Sequence, residues 1–165
     1  MIHIIIRTCP RDDGIARLCY ESFKRCGIEA KYSFLAEAGQ YKYITKTGVE
    51  IKYRDFVDNY GGQTGARGFI KPLKQYSFAD DDTVIISDSD IIVYSNFIYL
   101  IQGWDHAGVG DPARKWPGGN VFCISGQMQI FNGKTINRII GITMQEVDGY
   151  VSDMLSKGQD IADDT

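Results

Sequence analysis

Two carboxylates separated by one residue, Asp88 and Asp90, lie between two apolar runs near the middle of this 165-residue chain. The run at 83–87 has the length and composition of a buried strand, and a second apolar run, 91–94, follows directly. Carboxylates at the end of a buried strand are costly to desolvate unless something neutralises them. A divalent metal does so, and oxygen ligands suit Mg²⁺ or Mn²⁺, which commonly bridge a protein carboxylate and a diphosphate. A helix cap or a turn is the alternative interpretation, and it stays open.

The elements that must position this acidic pair alternate between strand and helix. We predict strands at 2–7, 31–35, 49–53 and 83–87, and helices at 15–25 and 66–78. This alternation predicts an α/β fold, a three-layer α/β/α sandwich with a mainly parallel sheet. Ligands of such sheets bind beyond the carboxyl ends of the strands. The loop after the first strand and the loop after Ser87 are therefore the expected ligand-binding loops.

The second half of the chain has weaker patterns. We expect a short helix at 96–102, a surface loop at 103–119, strands at 120–125 and 127–131, and helices at 135–140 and 148–157. The helical spacing in the first helix places Ile15, Leu18, Cys19 and Phe23 on its inner face.

Composition bounds the class of protein. With 44% hydrophobic and 24% charged residues, residues 1–165 fit one globular domain with a substantial core. No apolar run approaches the length of a membrane span, and a net charge of −3 disfavours a general nucleic-acid binder. The first residues predict a strand rather than a signal peptide. The four cysteines lack metal-site spacing, so we expect reduced thiols in a cytoplasmic protein.

The segment from Gly65 to Ile91, which ends in Asp88-Ser89-Asp90-Ile91, resembles the donor-binding region of GT-A fold glycosyltransferases. Those enzymes carry a helix, a buried strand and a DxD motif in this order, and the resemblance covers nearly all of the chain. It implies a Rossmann-like GT-A fold in which Mn²⁺ or Mg²⁺ on the DxD motif holds the diphosphate of a nucleotide sugar. By position Asp90 would be the metal ligand. Asp88 would contact the metal or its water, the ribose or the sugar, and Ser89 would belong to the donor site.

Two basic stretches resemble other parts of the donor site in this family. The loop that cradles the base and ribose corresponds to Arg7, Thr8, Cys9, Pro10 and Arg11, of which either arginine could meet phosphate. Basic residues near the donor correspond to Arg67 and Lys71, which lie four apart on one helix face. The alternatives are a capped loop with solvated arginines and, for the helix, salt bridges to residues 80–82 or plain solvation.

An acidic stretch near the end, from Glu146 to Tyr150, resembles the motif that opens a helix in inverting members of the family. There an Asp or Glu takes the proton of the acceptor hydroxyl as a general base. Asp148 matches best and Glu146 next, with an N-cap for the last helix as the alternative. Trp104 and Trp116 are candidates to stack on a sugar face.

The resemblance implies a metal-dependent glycosyltransferase of the hexosyltransferase type. It would move a sugar from a nucleotide-diphosphate donor, by default a UDP-sugar, to the hydroxyl of a saccharide or other acceptor, with inversion and retention both open. The family usually continues with a further strand and a His metal ligand, whereas here 158–165 follow the last predicted helix. We expect a minimal enzyme or a chain that completes its site by association, for example as a homo-oligomer. His106 would reach the metal only if its loop folded back.

The sequence is also compatible with two other functions. One is a nucleotide-sugar-binding module that transfers nothing or only hydrolyses its donor slowly. The other is a haloacid dehalogenase-like phosphatase, because Asp88 and Asp90 also resemble that family's nucleophile and acid/base pair. Its downstream residues would have to be Lys134 and the pair Asp163 and Asp164.

Overall fold

A computed structural model of the chain describes residues 1–8, 13–37, 50–54, 70, 73–115 and 122–157. The strands are β1 (Ile2–Thr8), β2 (Lys31–Glu37), β3 (Glu50–Arg54), β4 (Thr83–Asp88), β5 (His106–Lys115) and β6 (Phe122–Asn132). The α-helices are α1 (Asp13–Arg25), α2 (Gly133–Gly141) and α3 (Met144–Ser156), and a 3-10 helix spans Ile98–Leu100.

The strands form one six-stranded sheet in the order β3-β2-β1-β4-β6-β5. Strands β3, β2, β1 and β4 pair in parallel, whereas β6 pairs antiparallel with both of its neighbours. The predicted mainly parallel α/β sheet is therefore confirmed. Register places Ile2 beside Thr83 and Arg7 beside Asp88. The carboxyl ends of β1 and β4 thus share one edge, called here the carboxyl edge, and their first residues share the opposite, amino edge.

Both faces of the sheet are covered, which confirms the three-layer prediction. Successive residues of β1 and β4 point to opposite faces and enter two separate clusters. The cluster on the α1 side includes Ile4, Ile6 and Ile85 of the sheet with Ala16, Cys19 and Phe23 of α1. The cluster on the α2 side includes Ile5, Val84 and Ile86 of the sheet with Leu73, Phe78 and Ile136. Because both faces are buried, β1 and β4 are continuous apolar runs in the sequence.

The inner face of α1 differs in part from the prediction. Cys19 and Phe23 are buried as expected, but Ile15 and Leu18 are 43% and 60% exposed, so their assignment to the core was wrong. Ala16 takes the inner position one turn before Cys19 instead. The buried residues follow the i, i+3, i+7 stripe, and the small Ala16 lets the helix lie close to the sheet.

The predicted surface loop at 103–119 was wrong, because β5 occupies 106–115. The two short strands predicted at 120–125 and 127–131 are one strand, β6. Glycines and Pro112 suggested a loop, but β5 is an edge strand whose pairing with β6 is interrupted by register shifts. Edge strands with bulges accommodate proline, which the middle of a sheet excludes, and glycine often marks a bulge.

Three helix boundaries also differ from the predicted ones. Asn132 caps α2 by accepting a 2.7 Å hydrogen bond from the Thr135 amide, so α2 begins at Gly133 rather than 135. The last helix begins at Met144 rather than 148. The helix predicted to run to 78 ends earlier, because residues 74–79 lie outside helices.

None of the helices in the described part of the chain is long and apolar enough to cross a membrane.

Candidate functional site

The carboxyl edge brings Arg7 and Asp88 together. Arg7, the last residue but one of β1, lies beside the last residue of β4, and its Nε and Nη2 donate to Asp88 Oδ1 at 2.8 and 2.6 Å. The Arg7 side chain is 9% exposed and that of Asp88 is 36% exposed. A guanidinium with two donors on one carboxylate oxygen fixes the orientation of that carboxylate. The sequence predicted an arginine near the end of a strand, but it did not predict that Asp88 is its hydrogen-bond partner.

The Asp88-Ser89-Asp90 motif forms a turn at this edge. The Ile91 amide donates to the Asp88 carbonyl at 3.4 Å, which closes the turn. Ser89 is buried within it, whereas Asp90 is exposed to solvent. The two carboxylates therefore have different surroundings: that of Asp88 is bound by a guanidinium, and that of Asp90 is exposed to solvent.

Few of the other predicted donor-site residues are described. Thr8 is buried at the end of β1, directly after Arg7. The remaining predictions on the first loop and on the basic helix lie outside the described residues; they are Cys9, Pro10, Arg11, Arg67 and Lys71.

Glu146 has a clear local role at the start of α3. Its Oε2 accepts hydrogen bonds from the Thr143 amide (2.8 Å) and hydroxyl (2.7 Å), while Thr143 Oγ1 accepts from the Glu146 amide at 3.2 Å. This reciprocal pair is a capping box, with Thr143 as the N-cap. Asp148 lies two residues beyond Glu146 in the helix and is half-buried, so it is not the N-cap of α3. Of the two candidate bases, Asp148 is the one that does not cap the helix.

The capping box should make part of the protein's stability pH-dependent. The Thr143 hydroxyl and amide hold the pKa of Glu146 below its usual value. Because the folded pKa is lowered, this stabilisation is complete above the unfolded pKa and is lost as pH falls through the folded one. Glu146→Ala should therefore lower Tm at pH 7, and the difference from the unmodified chain should shrink at pH 3. A difference that is constant between the two pH values would contradict this role.

The Arg7–Asp88 pair should contribute to stability as well as to the site. Arg7→Met removes two charge-assisted hydrogen bonds from a nearly buried side chain, and we expect a loss of about 1.5–3 kcal/mol in the free energy of unfolding. Urea denaturation measures it. Arg17→Met, at an exposed position on α1, is the control and should change little. Equal losses in the two variants would show that the pair adds nothing.

The amino edge holds a separate cavity of about 260 Å³. Its lining includes Asp80, Thr83, Ile101, Trp104 and Asn132. Thr83 is the first residue of β4, so this cavity lies at the opposite edge of the sheet from Asp88. Trp104 therefore lies away from the carboxyl edge, and Trp116 falls outside the described residues.

His106 also begins its strand at the amino edge, beside Phe131. Its ring stacks on that of Phe131 with centroids 4.4 Å apart, and burial lowers its pKa. Nε2 is buried and has no hydrogen-bond partner in the described part of the chain. His106 is thus held at the edge opposite to the acidic turn.

The acidic turn presents two carboxylates of the kind that bind a hard divalent cation. Within the described ranges no group of three or more His, Cys, Asp or Glu side chains is arranged to hold an ion. Asp90 offers an exposed carboxylate and Asp88 a carboxylate oriented by Arg7. Mg²⁺ is usually bound by one or two carboxylates, with water and substrate phosphates as the other ligands. The donor set of this edge matches that arrangement.

Comparison with known proteins supports the fold. No protein-family model and no curated protein matches the chain. Among solved structures, the galactosyltransferase LgtC in complex with donor and acceptor sugar analogs matches 98% of this chain and 68% of its own, with a TM-score of 0.66 and 14% identity. An active-site mutant of LgtC matches 90% of this chain and 64% of its own, with a TM-score of 0.59 and 17% identity.

A third match comes from Streptococcus pneumoniae. The apo-form glycosyltransferase GlyE matches 97% of this chain and 44% of its own, with a TM-score of 0.53 and 18% identity. At these identities the likeness concerns the fold. The chain therefore has the α/β, GT-A-like fold of these glycosyltransferases and spans 44–68% of their lengths.

Proposed function

We propose that the chain is a metal-dependent glycosyltransferase that moves a hexosyl group from a UDP-sugar to an acceptor hydroxyl. The observation that carries the proposal is the acidic turn 88–90 at the carboxyl edge, with Asp88 fixed by Arg7 on a glycosyltransferase-like fold. This edge is where open α/β sheets bind their ligands. The family resemblance of the motif supplies the donor class, and UDP is the default nucleotide.

Asp90 and Asp88 would hold Mn²⁺ or Mg²⁺. When bound, the metal would neutralise the diphosphate and so favour departure of the nucleotide. Arg7 keeps the Asp88 carboxylate in one orientation before the donor arrives, so less ordering is needed on binding. Asp148, which matches the family's acidic motif best, is proposed as the general base for an inverting reaction.

The phosphatase alternative, in which Asp88 would attack a phosphate, is disfavoured by the position of Lys134. Lys134 would have to meet the same phosphate, but its amide bonds the Asp80 carbonyl at the amino edge, and its side chain is exposed there. Asp163 and Asp164 lie outside the described residues.

Calorimetry and a product assay test the proposal. UDP is titrated with Mn²⁺ and again with EDTA, and UDP release from UDP-glucose and UDP-galactose is then followed with and without lactose and other saccharide acceptors. We expect UDP binding that requires the metal and UDP release that rises with an acceptor. Binding without acceptor-stimulated release would indicate the nucleotide-sugar-binding module or donor hydrolase. Phosphomonoester turnover without UDP binding would refute both.

A further inference from the structure

Helix α1 and the residue that follows it contact the backbone around the acidic turn through three small polar side chains. Cys19, Ser22 and Cys26 lie three and four residues apart, so they share one stripe of the helix and of the turn that ends it. Each one bonds the backbone of Asp88 or Val93. An apolar side chain at these positions would pack as well, so the polar contacts are not required by burial alone.

Ser22 makes the central contact of this stripe. It is fully buried, and its hydroxyl donates to the Cys19 carbonyl at 2.7 Å. Since the single hydroxyl proton is committed there, the oxygen lone pairs are available as acceptors. The Val93 amide donates to Ser22 Oγ at 3.0 Å, and the Cys26 thiol lies 3.4 Å from the Val93 carbonyl as a donor. Both backbone groups of Val93 are thus satisfied by side chains of α1 and of the residue that follows it.

The other end of the segment is held at the carbonyl of Asp88. It accepts from the Ser87 hydroxyl at 3.0 Å, the Ile91 amide at 3.4 Å and the Cys19 thiol at 3.7 Å. Residues 89–92, which include Asp90, therefore lie between two backbone positions that α1 contacts. These residues belong to no helix or strand. Contacts from side chains therefore hold them, whereas backbone hydrogen bonds to neighbouring strands hold β4.

We propose that Ser22, with Cys19 and Cys26, is a set of positioning residues that holds the 88–93 segment in the conformation that binds the metal and UDP. The identity of the ligand rests on the proposed function, whereas the contacts of the three side chains with the segment do not depend on it. A turn that is ordered before binding loses less conformational entropy when the ligand arrives. Removing the Ser22 hydroxyl leaves the buried Val93 amide without its acceptor and loosens Asp90 indirectly.

Ser22→Ala is compared with Ser33→Ala, which deletes the same hydroxyl from a buried position on β2. The first readout is amide hydrogen exchange at Val93 and Ile91, which needs no ligand. The second is the Kd for UDP with Mn²⁺. In Ser22→Ala we expect exchange at both amides to be about tenfold faster. We also expect UDP binding to be weaker by about 10–100-fold, as when groups that orient metal ligands are removed. Ser33→Ala should change neither readout.

The two readouts separate this proposal from the proposed function. If the unmodified chain does not bind UDP, the proposed function fails, and the exchange rates alone decide whether α1 holds the turn. Unchanged exchange at Ile91 in a folded Ser22→Ala chain overturns the positioning role, as does unchanged UDP affinity where the unmodified chain binds. Should Ser22→Ala not fold, Cys26→Ala removes the thiol contact to the Val93 carbonyl together with the packing of one sulfur atom against the core. It should weaken UDP binding about threefold and speed exchange at Ile91, and unchanged values would overturn the proposal.

Discussion

Asp90→Asn is expected to weaken manganese-dependent UDP binding by about 100-fold or more. Loss of a group that merely orients a metal ligand costs 10–100-fold, so loss of a direct carboxylate ligand should cost at least the upper value. Asparagine keeps the size of the side chain but removes the negative charge that a hard cation requires. Calorimetric titration of UDP in the presence of Mn²⁺ measures the effect.

The same substitution should leave folding unchanged, because Asp90 is exposed and lies outside both core clusters. Asp81→Asn is the matched control, since Asp81 is an exposed aspartate in the turn at the amino edge. It removes one equal charge far from Asp88 and should bind UDP like the unmodified chain. Equal weakening in both variants would mean that overall charge, not the acidic turn, governs binding.

Gly133→Ala is expected to lower the free energy of unfolding by about 3 kcal/mol, near the upper end of overpacking effects. A Cβ at this position would lie 1.7 Å from the Ala79 carbonyl oxygen, a backbone atom that cannot rotate away. The contact is close because the Gly133 amide donates to the Asp82 carbonyl at 2.7 Å, which ties the start of α2 to the turn before β4. Thermal unfolding should show a Tm lower by roughly 6–12 °C.

Gly149→Ala provides the control for that experiment. Gly149 is exposed in the interior of α3, and an added Cβ would meet nothing within 4 Å. Alanine there should stabilise the chain by about 0.5–1 kcal/mol, because glycine loses more backbone entropy on entering a helix. The two substitutions are chemically identical, so opposite signs would isolate the close approach at residue 133. A tolerated Gly133→Ala would show that α2 shifts freely against the turn.

The strands around the acidic turn show how much of the fold the local sequence pattern predicts. The continuous apolar runs in β1 and β4 predicted two strands buried on both faces, and the alternation with helices predicted a mainly parallel sheet. Both predictions are confirmed. A strand that is buried on both faces needs apolar side chains at successive positions, so it is visible in the sequence as a continuous apolar run. The position of Asp88 and Asp90 after a buried strand then follows from the sequence, as does their location at the carboxyl edge.

Local pattern was less reliable where tertiary contacts override composition. Glycines and Pro112 in β5 predicted a loop, but pairing with β6 at the edge of the sheet forms a strand there. Ile15 and Leu18 have the spacing of core residues, yet α1 turns Ala16, Cys19 and Phe23 inward instead. In the first case contacts with a neighbouring strand decide that a strand forms, and in the second the packing of α1 on the sheet decides which side chains are buried.

By itself the sequence determined the α/β class, the main strands and the acidic turn as the candidate site. Only the tertiary structure decided what holds that turn: Arg7 reaches Asp88 from 81 positions away, and Ser22 reaches Val93 from 71. Local periodicity encodes which residues form a strand or a helix, since apolar side chains recur every second residue in one and every three to four residues in the other. Contacts between distant positions depend on strand register and helix packing, which arise only when the sheet assembles.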